Sequence, residues 1–226
     1  MKLLITDLET TGLDPSKDKI IEVGAILYSV DHQCTLQQLS TLLPCEENPA
    51  ENINRIKNLA TKEVSNNTLL QVYKEWVKEA DYIVAYNASF EKSWLKGITK
   101  EKPWICAYED IVWPNNHKQT NLVATALNHG VGVSLAHRAL ADCQILAQLF
   151  DRMDDLPEMI RGAVSRSTEE RIYVVAEVAF DEKDKAKEQK FKWDNVKRHW
   201  HKIMVKSDYE KEKNDYTFKT QIVSAC

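Results

Sequence analysis

An apolar run near the start of this chain carries two acids: Leu3-Leu4-Ile5-Thr6-Asp7-Leu8-Glu9-Thr10-Thr11-Gly12-Leu13. Leu3, Leu4, Ile5 and Leu8 call for burial and Thr-Thr-Gly ends the run, so it reads as a short interior strand. Side chains two apart on a strand leave by the same face. Asp7 and Glu9 therefore emerge side by side at the edge of the interior. Like charges held there repel each other and lose hydration, so a fold that keeps them must offset that cost. A divalent cation is one such offset, because Mg²⁺ and Mn²⁺ take oxygen ligands and Mg²⁺ usually combines one or two carboxylates with substrate phosphates. Alone, such a pair is more often an exposed strand end. The rest of the chain decides.

The 226 residues suffice for one medium domain, or one domain with a small appendage. No apolar run approaches the length of a membrane span, which predicts no membrane partner. The first residues enter a strand directly, without the basic and apolar succession of a signal peptide. Five scattered cysteines with no C-x-x-C pair favour reduced thiols over a disulfide framework or zinc site. Together these predict a cytoplasmic protein. The net charge of −4 does not suggest a nucleic-acid partner, but it is unevenly spread: from Arg171 on, 13 basic residues face 10 acidic ones, leaving −7 for the rest. An acidic body with a mildly basic tail suits a metal-dependent enzyme carrying an accessory module, although three charges make a weak field.

After the first strand, Gly12, Asp14 and Pro15 mark a turn. Residues 20–30 and 36–43 read as second and third strands of an antiparallel meander. Residues 44–58 read as polar and irregular, and 62–80 as a helix through Leu69, Leu70, Tyr73, Trp76 and Val77. A buried strand at 81–85 leads into a helix over 89–98. Residues 105–113 are ambiguous between strand and helix. A helix over 121–130 stops at Gly130, and one over 138–153 closes the body. Strands first, then alternating helices and strands, predict an α/β mixed sheet flanked by helices.

Two further acids stand in anomalous places. In Tyr86-Asn87-Ala88-Ser89-Phe90-Glu91, Asn87 or Ser89 can cap a helix on which Glu91 shares a face with Trp94, Leu95 and Ile98. Asp142 aligns with Ile145, Leu146 and Leu149 on the last helix, where an unpaired carboxylate is costly. His137 lies five residues earlier, about 140° around an ideal helix, so it converges with Asp142 only from the entering loop. In company with four acids it is a candidate general base.

These residues, in this order, resemble the DEDDh family of 3′→5′ exonucleases, which includes the proofreading epsilon subunit of bacterial DNA polymerase III. Its first motif, D-x-E-T-T-G, is similar to Asp7–Gly12. Its second, H-N-A-x-F-D, is similar to Tyr86–Glu91, with Tyr86 in place of His and Glu91 in place of Asp. Its third, H-x-x-x-x-D, is similar to His137–Asp142. The resemblance implies a ribonuclease-H-like fold over residues 1–153 and two divalent ions, Mg²⁺ or Mn²⁺, on Asp7, Glu9, Glu91 and Asp142. It implies that His137 accepts a proton from the attacking water, releasing a 5′-mononucleotide. It also implies that Thr10, Thr11, Gly12, Leu13, Asn87 and Phe90 line the terminal nucleotide. Single-stranded DNA 3′ ends are the expected substrate. RNA trimming, or a catalytically weakened nucleic-acid adaptor, are the alternatives, and a polymerase partner stays open.

Residues 154–170 (DDLPEMIRGAVSRSTEE) read as a linker with one helical turn, and 171–206 as a small α+β module of strand, short helix and returning strand. This module resembles an uncharacterised bacterial and phage module with a K-D-x-A-K…W-D…W signature. Lys183, Lys187, Lys192, Lys197 and Arg198 can hold phosphates while Trp193 and Trp200 stack bases; the other reading makes both rings the module's core. Residues 207–226 read as a loose charged tail.

Overall fold

The computed structural model describes residues 1–62, 67–114 and 121–223. They form two compact units, Met1–Ser167 and Thr168–Cys226.

The first unit is built on a five-stranded sheet. Strands β1 (Lys2–Thr10), β2 (Ile20–Ser29) and β3 (Cys34–Leu42) form the expected antiparallel meander, and β4 (Tyr82–Ala85) and β5 (Trp104–Cys106) extend it in parallel, in the order β3-β2-β1-β4-β5. Helices α1 (Glu51–Asn54), α2 (Asn58–Lys62) and α3 (Asn67–Glu79) lie between β3 and β4. Then come α4 (Ala88–Thr99), α5 (Leu122–Asn128), α6 (Ala139–Phe150) and α7 (Leu156–Thr168). The apolar continuity of β1 has a direct cause. Leu3 and Ile5 pack into a core with Leu146, Leu149 and Phe150 of α6, while Leu4 and Leu8 pack into a second core with Tyr73, Trp76, Val77 and Leu95. A strand covered on both faces reads as an unbroken apolar run. This is the α/β mixed sheet flanked by helices that the sequence predicts.

Two expectations need correction here, and a third is met over its described residues. The 44–58 stretch holds the short helix α1 and a buried amide network, in which Asn48 Nδ2 donates to Asn54 Oδ1 (3.0 Å) and to the Ile56 carbonyl (2.8 Å). The helix read over 62–80 is observed as α3; residues 63–66 lie outside the described ones. The linker over 154–170 is helix α7, with Leu156, Ile160 and Ala163 fully buried in the core of the first unit. Pro157 and Gly162 misled as breakers. Proline is tolerated in the first turn, where its missing N–H would have no partner, and one mid-helix glycine costs only about 1 kcal/mol.

The second unit is a four-stranded sheet in the order β7-β8-β6-β9: β7 (Lys192–Asp194), β8 (His199–Val205), β6 (Arg171–Glu177) and β9 (Lys219–Val223). Helices α8 (Lys183–Glu188) and α9 (Lys206–Glu212) complete it. The tail read as loose in fact supplies α9 and β9, the latter pairing antiparallel with β6 from Tyr173↔Val223 to Glu177↔Lys219. Tyr209 of α9 joins the core of Ile172, Val174, Ala186, Phe191 and Met204. That apolar contact gives a charged segment its order. The tryptophan-core expectation fails for one ring: Trp193 pairs across strands with Trp200 at 5.5 Å but is 42% exposed. Among the described residues no helix is long and apolar enough to cross a membrane.

Candidate active site

Three of the sequence-derived acids converge. Asp7 and Glu9 project from β1 and Asp142 from α6, with one carboxylate oxygen of each within 4.8 Å of the others. Glu91 is outside that trio. It is buried (4% exposed) in the first turn of α4, and its charge is the strongest of those acting on Asp7. Its helix face differs from the expected one: Ala88, Glu91, Leu95 and Thr99 point inward while Ile98 is exposed. Neither expected cap forms on α4, because the Asn87 side chain makes no capping bond and instead accepts from the Ser89 hydroxyl at 3.0 Å.

His137 stands on the loop entering α6, where the convergence argument requires it. Its backbone lies in the left-handed region (φ 61°), its ring is exposed, and its N–H donates to Asp142 Oδ2 at 3.3 Å. The turn after β1 is tightly knit. Thr10 Oγ1 donates to the Gly12 carbonyl, and the Thr11 hydroxyl accepts from the Lys19 N–H at 3.0 Å. A Cβ on Gly12 would fall 2.3 Å from Asp18 Oδ2, so a larger residue there would displace that carboxylate from the turn. Leu13 stands out of the turn, 84% exposed. Phe90 is half-buried and leans on Trp94, with ring centroids 5.9 Å apart. Tyr86 shares a 2.6 Å hydrogen bond with the Thr125 hydroxyl and, with Asp7, Asp142, Leu122 and Cys143, lines a shallow depression.

Sequence reasoning passed over the residues that assemble this site. Glu22 on β2 lies opposite Glu9 and is 1% exposed. It accepts from Arg138 Nε (2.9 Å), from the second guanidinium nitrogen (2.8 Å) and from the Ala139 N–H (3.1 Å). A bidentate Arg–carboxylate pair is directional and strong, and here it pins the start of α6, with His137 on one side and Asp142 on the other. Gly24, opposite Asp7, permits the contact: a Cβ there would meet the Ala139 carbonyl carbon at 2.3 Å. The signals were present, an acid and a glycine inside the apolar strand IIEVGAIL, since a strand glycine often marks close backbone approach. Asn54 Nδ2 reaches the Thr10 carbonyl at 3.4 Å and ties the 44–58 stretch to the end of β1.

The electrostatics of the cluster are those of acids waiting for a counter-charge. Burial first, then Glu91, Asp142 and Glu9, hold the Asp7 carboxyl well above the usual carboxylate range. Burial with the Asp142 and Glu22 charges pushes Glu9 up to about 7, against a lowering pull from Arg138. Burial alone lifts Glu91 to about 8. Asp142 is also raised, by burial, despite the His137 N–H. Asp142 Oδ1 and Glu91 Oε2 are buried without a hydrogen-bond partner. Every donor is a carboxylate oxygen, two lack partners, and the pull of Arg138 on Glu9 leaves that carboxyl still raised. This donor set fits a hard divalent ion.

Comparison with known proteins agrees with the geometry. Residues 4–150 match the model of the RNase_T exonuclease family. The chain is 28% identical over 167 residues to the PolC-type DNA polymerase III of Thermotoga petrophila, covering 70% of this chain but 12% of that protein. It is 27% identical over 161 residues to the DNA polymerase III epsilon subunit of Treponema pallidum, covering 65% of this chain and 74% of that one. A product-bound structure of exonuclease I superposes with a TM-score of 0.58 at 14% identity, over 77% of this chain and 51% of that one. The fold is ribonuclease-H-like. The chain belongs to the RNase_T exonuclease family.

Proposed function

We propose that this protein is a 3′→5′ exonuclease that removes 5′-mononucleotides from single-stranded DNA ends in the cytoplasm. The observation that carries the reading is the convergence of Asp7, Glu9 and Asp142, with Glu91 beside Asp7 and His137 tethered to Asp142. Mg²⁺ or Mn²⁺ ions on the four acids would stabilise the charge on the attacking and leaving oxygens of an in-line displacement. His137, exposed on its loop, accepts the proton of the water that attacks the terminal phosphorus. The new bond joins water oxygen to phosphorus, the bond to the 3′-oxygen breaks, and that oxygen takes a proton from solvent as the shortened strand leaves with a 3′-hydroxyl.

Around that centre, Thr10, Thr11, Gly12 and Leu13 bind the terminal nucleotide, the exposed Leu13 wedging against its base. Asn87 and Phe90 form the opposite wall. The Glu22–Arg138 pair acts at one remove, by holding the start of α6. DNA is preferred over RNA because the curated relatives are DNA polymerase III proteins, and their names make a polymerase the natural partner to test. The deciding experiment incubates the full chain with end-labelled single-stranded DNA and RNA in Mg²⁺, Mn²⁺ or EDTA. Stepwise loss of 3′ nucleotides from DNA, abolished by EDTA, is expected. Faster trimming of RNA would reassign the substrate, and no release from either strand would overturn the reading.

A further inference from the structure

The second unit carries a separate cluster that the nuclease chemistry does not use. Asp194 ends β7 and lies opposite His199 on β8, and His201 follows two residues later, so all three share one face of the sheet. That face is turned away from the core residues Val174 and Met204. One ligand atom of each of the three lies within 4.8 Å of the others. We propose that Asp194, His199 and His201 form a binding site for a transition-metal ion of the Zn²⁺ class.

Four observations carry this. Two imidazoles and one carboxylate suit Zn²⁺ and its neighbours and suit Mg²⁺ poorly, since Mg²⁺ demands oxygen donors. His201 Nδ1 is buried and has no hydrogen-bond partner, a state that calls for an explanation and that a bound ion would supply. The cluster is already held in place. Asp194 Oδ1 accepts from the N–H groups of Val196 and Lys197, both at 2.8 Å, and Tyr173 lies flat against His201, with centroids 4.8 Å apart and planes 4° apart. Finally, the Tyr173 hydroxyl shares a 2.9 Å hydrogen bond with His199 Nε2. Metal-bound histidines characteristically engage their second nitrogen in this way, which leaves Nδ1 of His199 for the ion. The Lys197 ammonium, 4.9 Å from the Tyr173 ring centroid, opposes a cation, and the Asp194 carboxylate offsets it.

Three protein ligands leave at least one position for water or an exogenous donor. The test uses the full chain with Zn²⁺ alone as probe and excess Mg²⁺ to occupy the all-oxygen cluster. Imidazole ¹⁵N resonances of the wild-type protein are followed while bound Zn²⁺ is counted by competition with a chelator. One equivalent should bind and shift only His199 and His201. His199→Ala and His201→Ala should each lose that equivalent while Mg²⁺-supported nuclease activity is unchanged, and Tyr173→Phe should weaken binding about tenfold. Unmoved imidazoles in the wild type would overturn the site. So would a Zn²⁺ equivalent that survives both alanine variants and disappears in Asp7→Asn.

Discussion

The two polar clusters of this molecule are assembled in opposite ways. The acid cluster of the first unit draws Asp7 and Glu9 from β1, Glu91 from α4 and Asp142 from α6, residues separated by most of the unit's length. The Asp194-His199-His201 cluster comes from one hairpin whose register alone sets its ligands side by side. The first holds the buried Glu91 and forms where a β2 glycine and the pair of buried Glu22 with half-exposed Arg138 draw a helix start onto the sheet. The second is half-buried on the sheet face turned away from its unit's core and needs little beyond local pairing. A cluster of like-charged acids carries a standing electrostatic cost that the fold must sustain; two imidazoles beside one carboxylate carry far less.

The sharpest way to break the contrast is to remove an acid from the first cluster. Asp7→Ala and Asp142→Ala should each lower nucleotide release by at least about 10²-fold, the scale of losing one electrostatic contact to a transition state. The metal-free melting temperature should hold or rise, because mutual repulsion is relieved. Activity and melting are measured on the same samples, and full activity in either variant would dissolve the proposed site.

Glu91 sharpens it further. Glu91→Gln should lose activity on the order of 10²-fold, since a misplacement of about 1 Å at a reacting centre costs that much. Glu91→Asp should keep or gain Mg²⁺-supported activity. The wild type should work better with Mn²⁺ than with Mg²⁺, because the longer glutamate arm positions an ion less strictly. Initial rates in the two metals decide, and an active Glu91→Gln would reduce Glu91 to a helix-end charge.

The independence of the two units is tested by where the chain is cut. Ending after Asp155 deletes α7 and with it Leu156 and Ile160; losing one such buried side chain costs about 2–5 kcal/mol, so that product should not fold stably. Ending after Ser167 should preserve folding and activity on short oligonucleotides. If Lys183, Lys187, Lys192, Lys197 and Arg198 hold phosphates, the shorter chain should also show a flatter salt dependence of strand binding. Equal slopes would deny the second unit any nucleic-acid role.

The smallest effect is a pH dependence confined to the acid cluster. Glu9 and Glu91 are raised in the fold to about 7 and about 8. The folded state therefore keeps protons that the unfolded chain has already released. In EDTA, stability should fall as pH rises from the ordinary carboxylate range through 8. Thermal melts across that range should show the decline, with Mg²⁺ or Mn²⁺ flattening it and Glu91→Gln shrinking it. A melting temperature that rises with pH in EDTA would contradict the burial of these acids.

Much of the first unit was legible in the sequence, because its signals are local. Alternation in residues 3–9 put Asp7 and Glu9 on one face, and the displaced acids Glu91 and Asp142 marked two helices that face the same place. The loop position of His137 followed from its angular distance to Asp142. What could not be read was the means of convergence. Glu22 and Gly24 look like interruptions of a strand until α6 is seen docked against them, and Asn54 looks like loop polarity until its amide reaches Thr10. Helix α7 and the β9 tail were misread for the same reason: Pro157 and a run of charges argue against order locally, whereas Ile160 and Tyr209 are ordered by burial against residues far away in sequence. Local pattern states which face a residue takes, since backbone geometry repeats every two or 3.6 residues. Which faces meet depends on packing between distant segments, and only the tertiary structure decided that.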